Sequence, residues 1–255
     1  MFVLDKVTFS VLDKQLLAPI SLHFEQGKVY GLIGHNGSGK STLLKLLAKQ
    51  NPISSGSLTF AGKALTEWSH KAFAKQVAYL PQHLSTNTHL TVSELVMMGR
   101  YAWHGLFGRT SAQDEKIVAQ SLELTHTTAF AEQLVDTLSG GERQRVWLAM
   151  LLAQQSHFLL LDEPLAALDI AHQVEVMQLI QHLKEQLGIG VIIVIHDINL
   201  AARFCDHLVA LYQGQLLLQG TPQQVMTPET LQRIYGIHLQ IVPHPQEQHL
   251  PVAFF

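Results

Sequence analysis

The sequence predicts an α/β fold whose parallel sheet presents polar residues at the carboxyl ends of its strands. Three observations predict it. A glycine-rich turn, Gly34-His35-Asn36-Gly37-Ser38-Gly39-Lys40-Ser41-Thr42, joins a β-like run to a helical one. The unbroken apolar run Phe158-Leu159-Leu160-Leu161 ends in Asp162-Glu163-Pro164, as a buried parallel strand does when it delivers acids at its end. A third run, Val191-Ile192-Ile193-Val194-Ile195, is β-branched throughout and ends in His196-Asp197.

Residues 2–33 form a β-rich amino-terminal section that closes on Val29, Tyr30, Leu32 and Ile33. The turn that follows fits glycine, four residues, then Gly-Lys-Ser/Thr. Its glycines let successive N–H groups curl around phosphate oxygens. Lys40 supplies a point charge to the β- and γ-phosphates, and the Ser41 hydroxyl reaches Mg²⁺. Leu43, Leu44, Leu46 and Leu47 continue as a helix, which is the context the motif requires. Ser57-Leu58-Thr59-Phe60 reads as a further strand between turns at Gly56 and Gly62. After the short strand Val77-Ala78-Tyr79-Leu80 comes Gln82, either a plain turn residue or a contact to Mg²⁺ or the attacking water.

Between Gln82 and Ser139 the pattern turns helical. Thr91-Val92-Ser93-Glu94 is a capping box opening an apolar helix to Met98. Residues 113–124 form an amphipathic run. The insertion closes on Leu138-Ser139-Gly140-Gly141-Glu142-Arg143-Gln144, directly before the apolar helical run Val146, Trp147, Leu148, Met150. Glycines remove Cβ atoms that block close backbone approach, and the free N–H groups of a helix start point at an anion. Asp162 is placed to hold Mg²⁺ through its water shell, and Glu163 where a general base for water belongs. His196, at the same sheet edge, is either structural or a γ-phosphate contact. Thr221-Pro222 and Thr227-Pro228 are helix starts with proline at the first helical position.

This order of motifs resembles the ATP-binding-cassette (ABC) ATPases over essentially the whole chain. The resemblance implies a P-loop NTPase core (1–85 and 145–235) with an amino-terminal antiparallel β-subdomain, an inserted α-helical subdomain (about 86–144) and a carboxyl-terminal tail (236–255). It implies ATP and Mg²⁺ as ligands and a head-to-tail homodimer. There, Ser139, Gly140, Gly141 and Glu142 of one copy close over ATP on the other's phosphate loop. Glu163 polarises the water, His196 braces the γ-phosphate, and Asp169 lies in the segment crossing between subunits. The family pattern has a small hydroxyl residue where Ala166 stands, which puts some bonding across the dimer in doubt. The slot that often stacks adenine falls near Val11, which is not aromatic, so no base-stacking residue is assigned; Phe9 packs in the core.

Composition adds limits. The chain has 255 residues, 47% of them hydrophobic, yet no stretch approaches the roughly twenty apolar residues of a membrane span. The start, Met1-Phe2-Val3-Leu4-Asp5-Lys6, lacks a basic-then-apolar leader, so a cytosolic protein is expected. A single cysteine, Cys205, excludes an internal disulfide, and a net charge of −3 gives no footprint for nucleic acid. Charged residues are 15% against about 25% in typical soluble domains, which fits the covered surface of a complex.

Residues 99–109, rich in glycine and aromatics, read either as a loop folded over its own rings or, with 69–74, 170–174 and 196–199, as similar to ATPases of bacterial iron-chelate importers. The match is nearest to those for ferric hydroxamate siderophores. That resemblance implies a peripheral subunit on the cytoplasmic face of the inner membrane. Its partners are a permease of one fused chain or two subunits and, indirectly, a periplasmic siderophore-binding protein. Haem or cobalamin import, an exporter and a soluble non-transport cassette are the alternatives. His238, His244 and His249 have no tight ligand spacing and read as scattered surface residues.

Overall fold

The computed structural model describes residues 1–83, 89–104 and 109–254, and its two larger sheets pack against each other. The amino-terminal sheet is antiparallel, with strand order β2-β1-β4-β5. It comprises β1 (Phe2–Val11), β2 (Lys14–Phe24), β4 (Ser55–Phe60) and β5 (Lys63–Ala64). The larger sheet has the order β10-β9-β3-β8-β7-β6. Its strands are β3 (Val29–Ile33), β6 (Val77–Leu80), β7 (Phe158–Leu161), β8 (Gly190–Val194), β9 (His207–Tyr212) and β10 (Gln215–Gly220). All are parallel except β10, which returns antiparallel along β9.

The large sheet is buried on both faces, and the period of two sorts its side chains. Phe158, Leu160, Ile192, Val194, Tyr30 and Leu32 face the antiparallel sheet and α1 (Lys40–Leu47). Leu159, Leu161, Val191, Ile193, Val29 and Ile33 face the opposite layer. That layer holds α6 (Gly140–Ala153), α7 (Ile170–Leu187) and α8 (Ile198–Phe204). The short α2 (His70–Ala74) precedes β6.

The inserted helices are α3 (Val92–Met98), α4 (Tyr101–His104) and α5 (Ala112–Leu124). Thr91 and Glu94 make both bonds of the expected capping box, and Ser111 with Asp114 makes another at α5. Helix α6 runs unbroken through residues 144 and 145, and its Val146 and Leu148 share one apolar cluster with α3, α5 and the sheet. The inserted helices thus pack against the core along this helix.

Residues 99–104 are more built than a loop, with a short helix and a buried arginine. Arg100 is buried and donates to Asp114 Oδ1 (2.8 Å) and to the Ala153 carbonyl (2.7 Å). Lys75 Nζ stands 4.4 Å and the Arg100 guanidinium 5.0 Å from the centre of the Trp103 ring. Of the stretch 99–109, residues 105–108 lie outside the described residues. Beyond β10 come α9 (Pro222–Val225) and α10 (Pro228–Tyr235), each starting on proline, and the hairpin β11 (Gln240–Pro243) and β12 (Pro251–Phe254). Among the described residues no helix is long and apolar enough to cross a membrane.

Candidate active site

Four adjacent strands, β3, β8, β7 and β6, end at one sheet edge. They release there, in that spatial order, the phosphate loop, His196, the pair Asp162-Glu163, and Gln82. Parallel strands fed by crossover helices all carry their chain direction to the same side, so this convergence follows from topology.

The phosphate loop enters α1 through Gly39, which caps the helix at φ 104°. That φ is a backbone conformation that L side chains rarely adopt, so glycine suits this entry. Lys40 is buried and folds back over its own loop, donating to the carbonyls of Gly34 (2.8 Å) and His35 (3.0 Å). Burial pulls its ammonium below the usual lysine range, partly offset by Glu163 and Asp162. The buried Ser38 hydroxyl has no partner among the described residues, an orphan that suits an acceptor arriving with a ligand. Over the loop lies an open cleft of about 490 Å³, lined on one wall by Asn36, Gly37 and 39–42 and on the other by Lys14, Gln15 and Leu16.

Ser41 Oγ donates to Asp162 Oδ1 at 2.7 Å, and Tyr79 Oη lies 3.5 Å from Oδ2. Burial raises the Asp162 carboxyl above its ordinary range, and the Ser41 bond opposes the rise. These hard oxygens, one hydroxyl and one carboxylate beside a phosphate-sized cleft, are a donor set that fits Mg²⁺. Glu163 has both oxygens engaged. His196 Nε2 is 2.9 Å from Oε1, and Gln82 Nε2 donates to Oε2 at 2.7 Å. Its backbone stands at φ 51°, in the left-handed region.

The turn 139–142 is organised by its own box. Glu142 Oε2 accepts from the Ser139 N–H (2.9 Å) and hydroxyl (2.7 Å), which holds the Glu142 carboxyl below its usual range. The two glycines differ. A Cβ at Gly141 would stand 2.3 Å from the His172 ring, whereas Gly140 meets nothing closer than Leu168 at 3.6 Å. The need for glycine at 141 thus comes from a close approach within the chain. His172 is itself held by Asp169, whose carboxylate caps α7 (2.9 Å to His172 N–H) and bonds its ring (2.8 Å). The side-chain hydrogen bonds of Ser139 and Glu142 are to each other, and none joins the turn to the phosphate loop among the described residues.

Sequence reasoning missed Tyr79, though its inclusion in a strand that ends at the site edge was a usable signal. It also missed the wall 14–16, whose placement depends on the sheet-to-sheet contact. At the hairpin tip Phe9 is buried, Val11 is half exposed, and Leu12 is fully exposed at φ 51°. The exposed tip residues Val11 and Leu12 are aliphatic, and the one ring near them, Phe9, is turned into the core.

The sequence profile of the family described as ABC transporter matches residues 17–166. The iron(3+)-hydroxamate import ATP-binding protein FhuC of Bacillus subtilis (strain 168) is 42% identical, over 92% of this chain and 87% of its own length. The ferric enterobactin transport ATP-binding protein FepC of Escherichia coli (strain K12) is 39% identical, over 89% and 83%. Among solved structures, the ADP conformation of MJ1267, an ATP-binding cassette of an ABC transporter, superposes with a TM-score of 0.83. It covers 92% of this chain and 98% of that one at 20% identity, which speaks to fold alone. The dimeric MJ0796, a bacterial ABC transporter cassette, gives a TM-score of 0.74 at 26% identity, over 87% and 99%.

Proposed function

This chain belongs to the ABC transporter family, and from that premise we propose the transport it energises. It is the ATP-hydrolysing subunit for import of an iron(III)-siderophore, a ferric hydroxamate, across the bacterial inner membrane. The observation that carries this reading is the 42% identity over 92% of the chain with a hydroxamate-import ATP-binding protein. The subunit sits on the cytoplasmic face against a permease of one fused chain or two subunits. A periplasmic siderophore-binding protein feeds that permease, and nucleic acid has no part.

Two copies pair head to tail, the turn 139–142 of one facing the phosphate loop of the other. Support comes from the turn itself, whose side-chain bonds are internal within one chain, and from the dimeric cassette of similar fold. ATP lies in the cleft over 34–42, where Lys40 leaves the Gly34 and His35 carbonyls for the β- and γ-phosphates. Ser41 and Asp162, with Gln82 near by, would hold Mg²⁺, which neutralises charge on the phosphate oxygens when bound. Gln82 and His196 hold the Glu163 carboxylate in line until water and the γ-phosphate arrive. Glu163 then takes the water proton, and His196 turns to the γ-phosphate. Hydrolysis needs the neighbour's Ser139 and Gly140, so closure of the pair and cleavage are one event.

Growth of a strain lacking this chain, on defined iron sources under iron limitation, tests the reading. Loss of growth on ferric hydroxamates with growth on haem retained is the expected result. Loss on haem alone favours the second reading, which rests on 37% identity over 92% of the chain with the hemin import ATP-binding protein HmuV of Bordetella avium.

A further inference from the structure

We infer that Asn199 is a positioning residue for ATP hydrolysis, latching the carboxyl-terminal hairpin β11–β12 onto the helix that follows His196. The carboxamide of Asn199 brackets one residue of β12. Its Nδ2 donates to the Ala253 carbonyl at 3.0 Å, and its Oδ1 accepts the Ala253 N–H at 2.8 Å. A primary amide offers donor and acceptor side by side, so it serves the strand edge as a neighbouring strand would. Ala253 is opposite Ile241 in the hairpin and belongs to the main apolar cluster. One helical turn further, Arg203 reaches Glu247 in the hairpin loop at 3.3 Å. That loop is shaped by His244 Nδ1, which accepts the N–H groups of Gln246 and Glu247.

The other end of α8 leads to the chemistry. Asp197 caps the helix, accepting the N–H groups of Asn199 (2.8 Å) and Leu200 (2.9 Å). His196 precedes that cap, and its half-exposed ring is held by the Glu163 carboxylate. With only seven residues, α8 cannot fix its own direction. Its core face is set by buried Ala201, Ala202 and Phe204, and the tail braces the opposite contact at Asn199, close to His196. A hydrogen bond of 2.9 Å has little tolerance, since a heavy-atom separation beyond about 3.5 Å is no longer a bond. The tail hairpin is thus part of the hydrolytic apparatus although it lines none of the cleft.

This inference rests on the reading of Glu163 and His196 as hydrolytic groups, so Glu163→Gln is the control. The test is hydrolysis of labelled ATP by the purified full-length chain, with hydrogen exchange at the Ala253 amide. Asn199→Ala is expected to speed that exchange and to lower kcat about tenfold, short of the ~10²-fold that a 1 Å misplacement costs. KM for ATP stays within about twofold. In a His196→Ala background the same substitution costs less than about twofold, because the residue acts through His196. Unchanged exchange, unchanged kcat, or an equal loss in both backgrounds overturns the inference. Full turnover by Glu163→Gln overturns the site reading beneath it, whereas loss there with none in Asn199→Ala sinks the latch alone.

Discussion

His196 Nε2 and Glu163 Oε1 stand 2.9 Å apart, and Gln82 secures the other oxygen of the same carboxylate at 2.7 Å. Glu163 also occupies a left-handed backbone position, a conformation costing a non-glycine residue on the order of 1–3 kcal/mol and persisting only where neighbours over-determine it. The preceding Asp162 N–H is tied to the Leu80 carbonyl, and the Glu163 carbonyl accepts the Ala166 N–H. Backbone and side chain are both fixed, so the carboxylate meets the cleft from one direction.

Glu163→Gln preserves the shape and removes the proton acceptor. Nucleotide affinity is expected to stay within about twofold while turnover falls by ~10²–10⁴, the range a positioned base supplies. Size-exclusion chromatography with ATP should then show a persistent dimer. Substantial turnover in this variant would count against Glu163 as the base.

Asp162 carries the opposite signature. Burial raises its folded-state pKa above that of the unfolded chain. The stability contributed at this position is therefore fully present below the ordinary carboxylate range and is lost as pH rises through the raised value. At neutral pH the nucleotide-free protein carries the cost of a buried charge. Asp162→Asn is expected to raise the melting temperature near pH 7, with the difference shrinking toward pH 4, while weakening Mg-ATP binding by at least about tenfold, or ~1.4 kcal/mol. A variant that melts lower at neutral pH would contradict the sign.

The glycine pair separates stability from function. At Gly141 an added Cβ collides with a His172 ring that Asp169 holds in place, and overpacking of this kind costs about 1–3 kcal/mol. Gly141→Ala should lower the melting temperature of the isolated chain, and His172→Ala should restore it. At Gly140 the added methyl has room. Gly140→Ala should leave melting unchanged and still impair hydrolysis, as a residue facing a second copy would. Equal melting losses in both variants would refute the distinction.

What was legible in the sequence is what lies next to a strand end. Lys40, Gln82, Asp162, Glu163 and His196 each follow a short apolar run, and parallel topology carries those run ends to one edge. The α/β core, the β-rich amino-terminal section and the capped helix at Thr91 were readable from local pattern, whereas the antiparallel arrangement of that section came only with the family resemblance. Contacts made by distant segments were not. Nothing in a linear pattern pairs Asn199 with Ala253 or sets His172 against Gly141. The aromatic stretch after Gly99 concealed a buried arginine, because an Arg beside rings reads as surface until its acceptors on α5 and α6 are placed.

That arginine supports the last prediction. Asp114 receives Arg100 Nε and His104 Nε2 on Oδ1, both at 2.8 Å, and the Ser111 N–H and hydroxyl on Oδ2. The Ser111 bond above all, then Arg100 and His104, hold its carboxyl well below the usual carboxylate range. A depressed folded-state pKa gives stability that is present above the unfolded value and lost as pH falls toward the folded one. Asp114→Asn leaves the Arg100 guanidinium buried without a counter-charge, at an expected cost of about 3–5 kcal/mol in urea unfolding at pH 7. The gap between variant and parent should narrow as pH drops below the ordinary carboxylate range. Arg100→Lys should not substitute, because one ammonium cannot serve Asp114, the Ala153 carbonyl and Gln155 Oε1 with the guanidinium's planar fork. If Arg100→Lys unfolds at the parent's urea midpoint, the clamp between α4, α5 and the end of α6 does not hold the insertion to the core.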